Sequence, residues 1–364
     1  MSILLRLLLA LAVVFTALAC NDKSAKQAPV IKAGPGAIAG QTAGGKVRFV
    51  TTRFRTQDAD LIKTFEQQNG VEVEVVVRSA SEIVRAAADK QSLSADVVLV
   101  PTLEDAARLR GFGALQPFFV QAFTSGEIGD KYLDNEGYWA GLTQWSMVAV
   151  YNPLVVSLDE TSSYQGIVSA ANRGVRIGVA HPDSSGLAGV VAGIYNAVSP
   201  QAASVWTELI YRRANGGLAG NDAYQMERLR RGEIDLAFVS LGAATRWILN
   251  GDPTHFKAGE TWRIQYPRTP VNNNNFFNMT CLTMPADAPN RDGAVRLINY
   301  LYGQEVQAQL STNWFEYPVH VYAKADDYIL QNMQDIGRKL RGEVLEQNIP
   351  AAWSIINQTA QKVQ

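Results

Sequence analysis

The chain has 364 residues, with 33 Lys and Arg against 34 Asp and Glu, a formal net charge of −1 at pH 7 and hydrophobic residues at 47%. That composition supports a sizeable core, and the absence of a basic stripe excludes nucleic acid as a partner.

At the amino terminus, Arg6 precedes an apolar run over residues 7–19 that stops at Cys20. A bilayer-spanning helix needs roughly 20 apolar residues, so the run is too short for one. Its length suits the hydrophobic region of a secretory signal, and Ala17-Leu18-Ala19 supplies the small residues a signal peptidase requires. Residues 1–19 are therefore predicted to be removed on export. Leu18-Ala19-Cys20 resembles a bacterial lipobox, which predicts acylation of Cys20 and anchoring to a membrane. With Cys20 committed to lipid, Cys281 has no disulfide partner in the chain. Residues 20–45 contain Pro29, Pro35 and several Gly without sustained periodicity, the composition of a flexible tether. The length from Lys46 onward suggests two domains.

Residues 46–51 read as a strand, followed by the polar loop 52–56 and a helix carrying Leu61, Ile62 and Phe65 that stops at Asn69-Gly70. A second strand spans 71–77, with Val71, Val73, Val75 and Val77 on one face. Ser79 and Glu82 have capping-box spacing for a helix. Residues 95–100 form a third strand, of the wholly buried type, and Thr102 is the expected N-cap of the helix behind it. The pattern resumes with a strand at 175–180, a loop at 181–186 and a helix placing Leu187, Val190, Val191, Ile194 and Val198 on one face. Another strand ends at Ser240, and Cys281 falls in an apolar stretch read as a buried strand. Strands alternating with helices imply parallel sheets covered by helices, an α/β fold. Ligands of such sheets gather beyond the carboxyl ends of the strands, which brings Thr52, Ser79, Thr102, Ser184, Ser185 and Ser240 around one cleft.

Several stretches, in order, carry a family resemblance. They are Thr51-Thr52-Arg53, Ala95-Asp96-Val97-Val98-Leu99, Gly113-Ala114-Leu115-Gln116-Pro117, Tyr138-Trp139-Ala140-Gly141-Leu142-Thr143, Gly232-Glu233-Ile234-Asp235, Ala288-Pro289-Asn290 and Phe315-Glu316-Tyr317-Pro318-Val319. Together they resemble the ferric-ion-binding branch of the bacterial ABC-transporter solute-binding proteins. The resemblance implies a two-lobed, type II-like periplasmic-binding-protein fold with a ligand cleft between lobes, each lobe a mostly parallel sheet flanked by helices. Lobe 1 would comprise residues 46–143 and about 271–310, and lobe 2 residues 144–270 and about 311–364. The hinge is expected in the strand over 143–152 and again near 275–279. The implied partners are a small-molecule or ion ligand and an ABC permease of the inner membrane, with the receptor a lipid-anchored monomer in the periplasm or at the cell surface.

Iron-binding members of that branch present adjacent tyrosines in the loop after the Gly-Glu-x-Asp strand. Here the loop is Ser240-Leu241-Gly242-Ala243-Ala244-Thr245-Arg246, without a tyrosine, and Phe54 stands near the place of the histidine some members add. Glycine and alanine cannot replace phenolates on a hard ferric ion. His181, His255 and His320 show no metal-ligand spacing, so neither metal nor cofactor is assigned. The anion half of the site remains in Asp183-Ser184-Ser185-Gly186, Asn221-Asp222 and Ser240, where hydroxyls, amides and helix N–H groups hold an oxyanion. Arg53 or Arg246 adds charge, Asn278 contributes from the second crossing, and Trp145, with Trp247 and Trp314, offers an aromatic wall. The expected cargo is a small organic molecule or an oxyanion such as a phosphate, phosphonate or carboxylate compound. The alternatives are ferric iron or another metal, bound through a chelate or through tyrosines elsewhere such as Tyr224 or Tyr317, and a hydrolase. The last is disfavoured because His181 and Ser184 share one short loop and neither a nucleophile elbow nor paired carboxylates are present.

Overall fold

The valine-rich segments expected as strands assemble a single mixed sheet. The computed structural model describes residues 45–184, 186–250, 262–269, 275–331 and 342–363. Its strands are β1 (Lys46–Thr51), β2 (Glu72–Val77), β3 (Val97–Val100), β4 (Leu115–Gln116), β5 (Trp139–Tyr151), β6 (Ile177–Val179), β7 (Leu236–Ser240), β8 (Arg263–Gln265), β9 (Phe277–Pro285) and β10 (Tyr317–Pro318). The order is β2-β1-β3-β9-β5-β7-β6, with β4 paired to β9 and both β8 and β10 to β5.

The outer strands are parallel as expected: β1 lies between β2 and β3, and β6 beside β7. The centre is antiparallel, so the sheet is mixed and not mostly parallel. The reason is β9, which pairs antiparallel with both β3 and β5. All thirteen residues of β5 are buried. Its first half pairs with β9 and β10 and its second half with β7 and β8, with registers such as Trp145 opposite Asn278 and Val148 opposite Val239. The β5–β9 register slips between Gly141 and Thr143. A Cβ at Gly141 would sit 2.7 Å from Met279 Sδ, so glycine lets the two crossing strands approach there.

The expected face of the second strand holds only at its start. Val71 and Val73 are buried, whereas Val77 is 59% exposed, because β2 is the sheet edge and its far end has no covering layer. Core residues such as Phe65, Leu99, Leu103 and Phe238 are fully enclosed, each worth about 1.5–3 kcal/mol of transfer free energy. Cys281 is fully buried on β9, donates to the Met279 carbonyl, and burial pushes its thiol pKa far up. The signal residues, Cys20 and the tether lie outside the described residues.

Helix Gln304–Trp314 packs on helix Thr56–Asn69 and on β10, while helix Gly342–Val363 packs on Leu187–Ala197, Pro200–Arg213 and Leu103–Gly111. We propose that residues 304–318 belong with the first lobe and that helix Gly342–Val363 leans on both, in place of a second lobe containing everything after about 310. Among the described residues, no helix is long and apolar enough to cross a membrane.

Candidate functional site

A cavity of about 300 Å³ opens beyond the carboxyl ends of β1, β3 and β7 and beside β5. Its lining includes Thr52, Arg53, Ser79, Thr102, Trp145, Ser184, Asn221 and Ser240, eight of the ten binding residues expected from sequence. Five helices begin at its wall: Ala80–Ala88, Leu103–Gly111, Leu187–Ala197, Asp222–Arg230 and Leu241–Asn250. Ser79, Thr102 and Asn221 are their N-caps where expected, accepting from the N–H of Glu82, Asp105 and Tyr224. Gly186 caps a fourth without a side chain, and this is needed, because a Cβ there would lie 2.6 Å from Trp145 Cη2. Each helix start carries roughly half a positive charge, and several first-turn N–H groups are already held internally, Leu103 by Asn278, Asp105 by Thr102 and Gly189 by Glu104.

The charged groups fall into two sets. Arg53 donates through Nη1 to Glu316 Oε1 at 2.6 Å and through Nη2 to Glu316 Oε2 at 2.8 Å and to Thr280 Oγ1 at 2.6 Å. Burial would raise the pKa of Glu316, but Arg53 outweighs it and holds the carboxyl below the usual range, with Thr143 donating to it as well. Two further arginines stand near. Burial and the neighbouring Arg55 and Arg53 lower the pKa of Arg246 to about 10, and burial and Arg53 lower that of Arg55. Of the three guanidiniums, Arg53 lines the cavity and Arg55 and Arg246 do not, and the wall also carries Glu104, Asp105, Asp183, Asp222 and Glu316. Enclosed polar atoms without a partner include Thr52 Oγ1, Arg53 Nε and Asp222 Oδ1.

The second set is protonatable. Burial raises Glu104 to about 7, Asp105 to about 6, and Asp222 above its usual value. Each is already engaged. Glu104 accepts from Asn278 Nδ2 and from the N–H of Gly189 at 2.5 Å, Asp105 from Thr102 Oγ1 at 2.7 Å, and Asp222 from the N–H of Ser240 at 3.0 Å. Among the described residues, no group of three His, Cys, Asp or Glu is arranged to hold a metal ion.

Asn278 is enclosed beneath the cavity instead of lining it. Its Oδ1 accepts from the N–H of Leu103 and its Nδ2 holds Glu104, so it fixes the start of helix Leu103–Gly111. Ser185 and His255 lie outside the described residues. Trp145 reaches the cavity but is mostly buried, its Nε1 donating to the Pro101 carbonyl at 3.2 Å. Trp247 and Trp314 do not line the cavity. Trp314 donates to Asp58 and lies under Arg53, and Trp247 meets Trp262 edge-on. Tyr224 and Tyr317 are also absent from the lining, the latter facing Tyr266 in the core. Sequence reasoning missed Glu104, Asp105, Glu316 and Trp353 in the wall. Acidic residues two and three places past the Thr102 cap were a usable signal for the first pair.

The family model for bacterial extracellular solute-binding proteins matches residues 60–329. Among curated proteins, Iron uptake protein A1 of Synechocystis sp. is 26% identical over 276 residues, covering 75% of this chain and 76% of that protein. Among solved structures, the ferric binding protein from Campylobacter jejuni superposes with a TM-score of 0.77 at 18% identity, covering 86% of this chain and 99% of the other. The periplasmic binding protein AfuA from Actinobacillus pleuropneumoniae, with fructose-6-phosphate bound, gives 0.70 at 13% identity over 88% and 98%. These likenesses are to two-lobed binding proteins and match the fold expected from sequence.

Proposed function

We propose, from the premise that this chain belongs to the bacterial extracellular solute-binding proteins, that its cavity receives the oxyanion head of a small organic solute such as a phosphate or carboxylate compound. As a member of that family it is a receptor of an ABC importer, located outside the cytoplasm, that binds a solute or ion and delivers it to a permease. It is not an enzyme. We further propose, from the sequence before Lys46, that Cys20 anchors a monomeric receptor to a membrane.

The observation that carries the oxyanion reading is the convergence of five helix starts on one cavity that also contains Arg53. Helix N–H groups and hydroxyls satisfy oxyanion lone pairs, and their partial charges need no countercharge of their own. Thr52 Oγ1 and Arg53 Nε are enclosed without a partner in residues that line the cavity. Among the described residues the cavity lining holds no tyrosine or histidine, and four of its five carboxyls are tied to internal donors, which disfavours a bare ferric ion.

A second reading is favoured by the names of the relatives: iron carried as a carboxylate chelate, which presents oxyanions to the same donors. Calorimetry and thermal shift with orthophosphate, a hexose phosphate, citrate, ferric citrate and ferric chloride separate the two. A hexose phosphate or citrate should raise the melting temperature by several degrees, and Ser240→Ala should weaken binding about tenfold. Response to ferric citrate alone would replace the first reading with the second. Response to ferric chloride without a chelating anion would overturn both.

A further inference from the structure

A second and larger cavity, about 830 Å³, lies alongside the first, and the two share Pro182, Asp183 and Trp353 in their walls. It is floored by helix Leu103–Gly111 and roofed by helix Gly342–Val363, with Tyr211 from helix Pro200–Arg213 at one side. We propose that this groove is a second subsite for the same cargo, holding the body of the solute while the first cavity holds its oxyanion head, and that the body is a hydroxylated ring. The proposal rests on the oxyanion reading and names the class of solute that the receptor carries.

Continuity is the first argument. The first cavity alone is at the lower limit of known ligand pockets, and Pro182, Asp183 and Trp353 border both it and the groove. Arg108 lies over the Trp353 ring at 5.0 Å and its Nη1 is 3.5 Å from Asp183 Oδ1, a contact long enough to be exchanged for a ligand oxygen. The second argument is the lining. Trp353 and Tyr211 supply flat apolar faces, while Arg108 with Asp183 and Arg110 with Glu346 set donors and acceptors side by side. A wholly apolar body would strip water from those charges without replacing its hydrogen bonds. A ring with hydroxyls offers both a C–H face to the aromatics and groups that donate and accept. The third is Trp353 Nε1, which is enclosed and has no acceptor among the described residues. A hydroxyl oxygen entering as the ring shifts would satisfy it.

The test compares orthophosphate with glucose 6-phosphate on the full protein by calorimetry. Tyr211→Ala, which alters the groove and not the first cavity, should weaken glucose 6-phosphate at least tenfold and leave orthophosphate within about twofold. Ala360→Trp, at the partly exposed far wall of the groove, should do the same by filling it, and it guards against a folding defect in the first variant. Equal losses for both ligands, or no loss in a folded Ala360→Trp protein, would overturn the subsite while leaving the oxyanion reading intact. Failure of glucose 6-phosphate to bind the unaltered protein would overturn the subsite, and failure of orthophosphate and citrate as well would overturn the oxyanion reading with it.

Discussion

The Glu104 carboxyl sits between opposing demands. It is 2% exposed, so burial favours the protonated acid and raises its pKa to about 7, while the Asn278 amide and the Gly189 N–H favour the anion. Burial wins. The folded state therefore binds this proton more tightly than the unfolded chain, whose carboxyl titrates near 4.5. Its contribution is complete below 4.5 and is lost as pH rises through about 7, on the order of 3 kcal/mol over that window. Asp105, raised to about 6 by the same cause, acts in the same direction. Glu104→Gln keeps an oxygen for the Gly189 N–H and removes the ionisation. Melting temperatures recorded across this window should fall with rising pH in the native protein and fall less steeply in the variant. Identical slopes would mean that the proton is held elsewhere.

At the scale of the element, the caps dominate. Thr102 Oγ1 accepts from the Asp105 N–H at 3.1 Å and donates to the buried Asp105 carboxyl, tying both ends of the first helical turn. Thr102→Ala should cost about 1–2 kcal/mol, read as a lower denaturant midpoint at unchanged slope, and Thr102→Ser should restore most of it. Such features were legible in the sequence because they are local: Ser79 and Glu82 are three residues apart, as are Thr102 and Asp105, and spacing alone specifies the bond. The sheet centre was not legible in its direction, since nothing in the apolar run of β9 says which neighbours it meets. Glu316 was missed as a wall residue for the same reason: it meets Arg53 across 263 positions, a distance that no periodicity encodes. Trp353 comes from a tail helix whose apolar face gave no hint that one ring borders a cavity.

For the whole molecule, the arrangement that matters is that β5 and β9 run through the middle of the sheet, with β1–β3 on one side and β6–β7 on the other. A ligand that touches residues from both sides shifts the population toward the closed form by as much as it prefers that form, and no more. Domain motion of this kind bends the crossing strands without unzipping them. Cys281 reports the difference. It lies opposite Val100 on one side and Gly141 on the other, fully enclosed. Alkylation there needs thiolate and access, and both are withheld until the strands separate. Pulsed alkylation mapped to Cys281 by mass spectrometry should follow the global unfolding midpoint and ignore lobe opening, whereas labelling well below that midpoint would show the sheet centre breathing. The buried thiol thus serves as a stopwatch for loss of the entire fold, and cargo that slows its consumption does so only by making complete unfolding rarer.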